Sequence, residues 1–270
     1  MTECKRPIVR YHGGKWKLAP WIIAHLPQHR VYVEPFGGGG SVLLRKPRSY
    51  GEVYNDMDGE MVNLFRVARD NGRELLERLR LTPFARTEFS EAYEPTSDAT
   101  EQARRTVIRA FMGFGSNAHN SPTGFRSNST RSGTTPARDW MNYPDALDAI
   151  IHRLRGVVIE NRNALDLMPQ HDSEQTVFYV DPPYVAETRD KGGDYRHEMT
   201  DADHETLAAT LHGLKGAVVL SGYGCELYDR LYAGWQRIER AALADGARPR
   251  VEVLWLSPSC PAQGLFTNAA

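Results

Sequence analysis

Short runs of β-branched and aromatic residues recur along the chain, with helical periodicity filling most of the gaps between them: VYVE at 31–34, EVYN at 52–55, VVIE at 157–160, VFYV at 177–180 and AVVLS at 217–221. Strands alternating with helices specify a mostly parallel sheet covered on its faces, because a parallel crossover needs about a dozen residues or more. The helical patterns fall at 59–69, 72–81, 101–112, 145–154, 201–211 and 226–232. Two further runs, at 236–240 and 251–256, have no long helix between them and predict an antiparallel edge hairpin. The fold class is therefore α/β.

One interval breaks the alternation. Between Asp56 and Val157 lie about a hundred residues of helical pattern without a clear sheet strand, far more than a crossover uses. The expected organisation is a sheet domain made of 1–58 and 156–270, with a mainly helical insertion at 59–155. The centre of the insertion, GFGSNAHNSPTGFRSNSTRSGTTPARDW, is too polar to bury a core. Such a tract suits a linker, and it equally suits a nucleic-acid contact, since Phe114, Phe125 and Trp140 are interleaved with arginines. From Arg104 to Arg138 the chain has Arg104, Arg105, Arg109, Arg126, Arg131 and Arg138 and no acid, although its net charge is only −1. A one-sign stretch in a neutral chain points toward a polyanion.

The apolar fraction of 41% and the charged fraction of 25% are those of a soluble globular protein. No apolar run is long enough for a membrane span, and the N-terminus lacks a signal-peptide core. Cys4, Cys225 and Cys260 are scattered and odd in number, which implies reduced thiols and a cytoplasmic setting. Pro27 between His25 and His29 argues against a zinc helix, so no metal is expected.

Four motifs carry the chemistry. In TVFYVDPPYVAET a buried strand runs into Asp181-Pro182-Pro183-Tyr184, where the prolines end the ladder in a stiff extended turn that holds a carboxylate beside a ring. In VYVEPFGGGGSVLLRK a strand ends at Glu34-Pro35, and glycines let a ligand approach main-chain N–H groups at a helix start. Phosphate binding would bring Gly-Lys-Ser/Thr, which is absent. Asp56 in EVYNDMD ends the next strand, about twenty residues on, where ribose hydroxyls of a nucleoside are held. Asn163 and Asp166 in VVIENRNALDLM follow a third strand and can reach an adenine edge, although Asp166 also suits a helix cap. In RYHGGKWKL, Tyr11 and Lys15 flank a glycine turn, a cation and a phenol suited to the charged end of an amino-acid-bearing cofactor.

In this order, YHGGK, EPFGGGGS, NDMD and, after a long insertion, DPPY resemble the Dam-like (D12 class, alpha group) DNA N6-adenine methyltransferases over nearly the whole chain. The resemblance implies a Rossmann-like S-adenosylmethionine-dependent methyltransferase sheet, S-adenosylmethionine as methyl donor and double-stranded DNA as substrate. Carried over, Tyr11 and Lys15 contact the donor's methionine part; Glu34, Phe36, Gly38 and Gly40 form its glycine turn; and Asp56 takes the ribose. Asn163 and Asp166 lie toward the donor's adenine, and Asp181, Pro182 and Tyr184 form the catalytic motif, with Asp181 also touching the donor. In the insertion the correspondence fades. Arg126 is the preferred DNA contact, with Asn117, His119, Arg131 and Arg138 as further candidates and no legible recognition sequence. No obligatory protein partner is implied, and a monomer or weak dimer at the nucleoid, with or without a restriction partner, is expected.

The chemistry matches the residues. An exocyclic amine is a weak nucleophile until acceptors bind its hydrogens; Asp181 and the Pro182 carbonyl can do so, with Tyr184 as a stacking face. The base must leave the duplex to arrive there. Methylation of cytosine N4 is the nearest alternative, since the same turn serves either amine. A catalytically silent DNA-binding protein is a more distant one, and an oxidoreductase is disfavoured because GxGxxG spacing is absent.

Overall fold

The computed structural model describes residues 3–115, 122–127, 133–189, 195–243 and 249–260. Its centre is a seven-stranded sheet of β1 (Val31–Glu34), β2 (Gly51–Asn55), β3 (Val157–Glu160), β4 (Thr176–Val180), β5 (Ala217–Tyr223), β6 (Gln236–Leu243) and β7 (Pro249–Leu256). The order is β3-β2-β1-β4-β5-β7-β6, parallel except for β7, which runs antiparallel to both neighbours. The expected strands are all present, and the edge hairpin is longer than its apolar core because pairing extends to Leu243 opposite Pro249.

Among the described residues the helices are α1 (Ala19–Ala24), α2 (Ser41–Arg45), α3 (Gly59–Asp70), α4 (Gly72–Arg80), α5 (Arg86–Glu91), α6 (Ala99–Met112), α7 (Pro136–Met141), α8 (Tyr143–Leu154), α9 (Ala164–Leu167), α10 (Asp201–His212) and α11 (Glu226–Leu231). Caps fix several starts: Asp58 accepts from Glu60 N at the head of α3, Asp98 accepts from Thr100 and Glu101 at α6, and Thr200 with Asp203 closes a reciprocal box at α10.

Helices α9, α10 and α11 cover one face of the sheet through Leu167, Leu207, Leu211 and Tyr228, packed with Val33, Phe178 and Trp255. The other face, with Tyr32, Tyr54 and Tyr179, shares one continuous apolar cluster with α3, α4, α6 and α8, including Phe65, Leu75, Phe111 and Leu154. A buried ion cluster ties this layer down. Arg153 of α8 donates to both oxygens of Glu52 on β2 at 2.6 and 2.8 Å and to the Leu43 carbonyl, while Lys46 donates to Glu52 at 2.8 Å.

The arginine stretch is not the uniform cationic face that its composition predicts. Arg104 pairs with Glu88 and Glu101, Arg105 with Glu101 and Arg109 with Glu60, so acids that precede the stretch neutralise its first half. Two of the three interleaved aromatics are also structural. Trp140 is buried with its indole N–H on the Thr82 carbonyl, and Phe125 lies half-buried against Phe84 and Phe89. Only Phe114, 74% exposed, remains available as a contact surface.

Past α6 the chain doubles back. Phe114 N donates to the Gly124 carbonyl at 2.8 Å and Arg126 N to the Met112 carbonyl at 2.7 Å, flanking an antiparallel bridge between Gly113 and Phe125.

Candidate active site

Strand β4 returns beside β1 on the side opposite β2, so the crossovers diverge between β1 and β4. A crevice opens at the carboxyl ends of strands where such a switch occurs. A cavity of about 270 Å³ lies there, walled by Tyr11 to Lys15, Glu34, the turn Phe36 to Gly40, Asp56 to Asp58, Asn163 to Leu165, Asp181 to Pro183 and the segment Tyr195 to Met199.

The glycine turn is held by Gly37 N donating to the Asn55 carbonyl at 2.8 Å and Gly40 N to the Gly37 carbonyl at 2.7 Å. Gly38 and Gly40 have φ of 47° and 60°, the left-handed region that side chains avoid. A Cβ on Gly38 would stand 2.7 Å from the Tyr11 ring, and one on Gly40 would stand 2.7 Å from Phe65. The turn therefore packs against Tyr11 and Phe65 too closely to admit a side chain at either position. Glu34 reaches the cavity wall but turns its carboxylate inward, accepting from the Tyr32 hydroxyl at 2.7 Å and from Leu43 N at 3.0 Å. Burial pushes its carboxyl up to about 8 against those two hydrogen bonds.

Asp56 closes the turn from β2, accepting from Gly38 N and Asp58 N at 2.7 Å each. Burial raises its carboxyl to about 6, with those N–H groups opposing. Asn163 lines the cavity, but its side-chain oxygen caps α9 by accepting from Leu165 N at 2.9 Å. Asp166 is exposed in the first turn of α9, where an acid suits the helix start, and is not among the residues that line the cavity.

At the DPPY turn, Asp181 Oδ1 accepts from Ser221 Oγ at 2.8 Å, and Ser221 contacts the Tyr179 hydroxyl at 3.1 Å. The buried Lys15 ammonium lies 3.0 Å from the same oxygen, donates to the Gly13 carbonyl at 2.8 Å and stands 3.8 Å from Glu252. Burial alone would lower the lysine's pKa, but Asp181 and Glu252 outweigh it and raise it, so the site retains a cation. Tyr184 is buried rather than presented to the cavity: its hydroxyl donates to Glu252, Lys15 sits 4.6 Å from its ring centroid and Tyr223 meets it edge-on. The ring face expected to be open for stacking is thus occupied by the Lys15 ammonium.

Glu252 was not among the expected site residues. In VEVLWL an acid within a strand reads as solvent-facing, yet β7 is antiparallel and its amino-terminal end therefore lies at the carboxyl edge of the parallel strands, with Glu252 opposite Tyr223. Burial raises its carboxyl, with Lys15 opposing. The 195–199 wall was missed as well. Arg196 bridges to Asp58 at 2.8 Å and Glu60 at 3.1 Å, and the Tyr195 ring lies against Gly13 and His12.

Of the expected DNA contacts, Arg126 is half-buried with a long bond of 3.4 Å to the Phe111 carbonyl, and Arg138 is exposed on α7. Asn117, His119 and Arg131 lie outside the described residues. Among the described residues no group of acids, histidines and cysteines is placed to hold a metal, and no helix is long and apolar enough to cross a membrane.

A family model described as D12 class N6 adenine-specific DNA methyltransferase matches residues 11–245. Among curated relatives, the Type II methyltransferase M1.LlaDCHI of Lactococcus lactis subsp. cremoris is 35% identical over 27% of this chain and 26% of its own. The DNA adenine methylase of Escherichia coli (strain K12) is 27% identical over 40% of each chain. In these two the chain thus spans well under two thirds of the relative's length. The DNA adenine methylase of Serratia marcescens is 24% identical over 82% of this chain and 85% of its own.

Proposed function

The chain belongs to the D12 class of N6 adenine-specific DNA methyltransferases, and from that membership we propose that it transfers the methyl group of S-adenosylmethionine to N6 of an adenine flipped out of duplex DNA. The observation that carries the reading is Asp181, held at the end of β4 on the wall of the cavity that also contains the glycine turn and Asp56. The bound donor's sulfonium supplies an activated methyl group. Its nucleoside would lie along Gly38 and Gly40 with Asp56 accepting from the ribose, while Tyr11 and Lys15 flank its amino-acid end.

In this reading Asp181 accepts a hydrogen bond from the adenine amine and the Pro182 carbonyl accepts a second, which returns density to the nitrogen lone pair as it attacks. Ser221 fixes the orientation of the carboxylate through its 2.8 Å bond. Stacking of the base on Tyr184 requires the Lys15 ammonium to leave the ring. The helical layer α3 to α8 and the doubled-back segment around Arg126 form the DNA-facing part, offsetting the cost of base extrusion of a few kcal/mol with phosphate contacts.

Sequencing-based mapping of modified bases after incubating DNA with the protein and S-adenosylmethionine tests the proposal. Methyladenine at a recurring short site is the expected result. Methylcytosine would transfer the activity to the other exocyclic amine, and unmodified DNA would overturn the reading.

A further inference from the structure

Lys15 occupies both points that the incoming amine needs. Its ammonium is 3.0 Å from Asp181 Oδ1 and 4.6 Å from the centroid of the Tyr184 ring. A buried cation leaves a carboxylate only if another counter-charge is within reach, since an uncompensated ammonium in a dry site costs several kcal/mol. Among the described residues, Glu252 is the second acid that ion-pairs with Lys15, 3.8 Å from it and not itself part of the cavity lining. It is anchored there by the Tyr184 hydroxyl and by its place in the β5–β7 ladder. The Gly13 carbonyl, 2.8 Å from the ammonium, is compatible with either location.

Building on the methyl-transfer reading, we propose that Glu252 is a positioning residue for the reaction: it is the alternative seat that draws the Lys15 ammonium off Asp181 and Tyr184 as the target amine enters. Asp181 thereby exchanges the ammonium for the neutral adenine amine as a donor and keeps its hydrogen bond from Ser221. Tyr184 is released as a stacking face, and its own hydroxyl stays on Glu252, so the ring remains oriented during the exchange. No proton or bond needs to move for this step; the lysine remains an ammonium throughout.

The arrangement separates charge from shape, and so does its test. Glu252→Gln keeps an acceptor for the Tyr184 hydroxyl but removes the negative seat; Glu252→Asp keeps the charge. At saturating donor, with a duplex containing the site mapped for the unaltered protein, E252Q should lower kcat about tenfold while KM for DNA and donor stay within about twofold. E252D should retain most of the rate. Adding Lys15→Met to E252Q should raise kcat above that of E252Q alone, because the blocking cation is gone, whereas independent roles would lower it further. Circular dichroism and thermal melting verify that each variant is folded. An E252Q enzyme at full kcat, an E252D enzyme as slow as E252Q, or a double variant slower than E252Q would each overturn the proposal. An unaltered protein that methylates no adenine would instead remove the functional reading on which it rests.

Discussion

Asp56 illustrates how a single carboxyl couples fold and ligand. Its pKa lies at about 6 against an ordinary 3.8, so the folded state binds the proton more tightly than the unfolded chain. The stability it contributes is present below 3.8 and is lost as pH rises through about 6. Hydroxyl donors prefer the ionised form, so donor affinity measured by calorimetry should rise as pH increases through about 6. Asp56→Asn should weaken binding by about 1–3 kcal/mol and flatten that pH dependence. Glu34 behaves similarly at higher pH. With its carboxyl moved from 4.5 to about 8, the protein loses stability as pH rises across that range. Glu34→Gln should therefore gain on the unaltered protein in thermal melting as pH increases toward 8, and the reverse trend would show that the acid is folded as a carboxylate. At Asp181 the consequence is catalytic. Asp181→Ala should reduce methyl transfer by about a hundredfold or more with donor binding largely intact, and an active variant would dismiss its assigned role.

At the level of elements, the strands were legible because each is a short apolar run with its turn residues in place, as in VFYV before Asp181. Helices α5 and α7 escaped, α5 with Phe89 as its one buried residue and α7 set by Thr135 and Pro136 rather than by an apolar stripe. The glycine turn, Asp56 and the DPPY acid were legible for the same reason as the strands: each sits where a strand ends. Glu252 and Arg196 were not, because their roles arise from strand direction and from ion pairs between segments far apart in sequence. The same applies to the pairing of Arg104 with Glu88 and of Arg109 with Glu60, which no local pattern reveals. Helix α8 offers a direct test of how firmly the helical layer is joined to the sheet. Arg153→Met leaves Glu52 with Lys46 but removes its bidentate partner, and should cost about 3 kcal/mol in denaturant unfolding. A loss below about 1 kcal/mol would mean that apolar contacts alone dock α8.

Across the whole molecule, a net charge of −1 means that DNA must be held by local cations rather than by a global field. Arg126, beside the doubled-back segment, makes one long bond of 3.4 Å to the Phe111 carbonyl. Arg126→Glu should weaken DNA binding and reduce the slope of log affinity against log salt by about one or more, as followed by fluorescence anisotropy. An unchanged slope would separate this segment from phosphate. The strand order carries a different consequence. Because β7 lies between β5 and β6, the earlier-made β6 has no place on the sheet until β7 has been synthesised. A chain emerging from the ribosome therefore completes the parallel edge with Asp56, the glycine turn and Asp181 before Glu252 reaches it. Order of synthesis thus delivers the cavity walls at Asp56, the glycine turn and Asp181 before Glu252, the second acid beside Lys15.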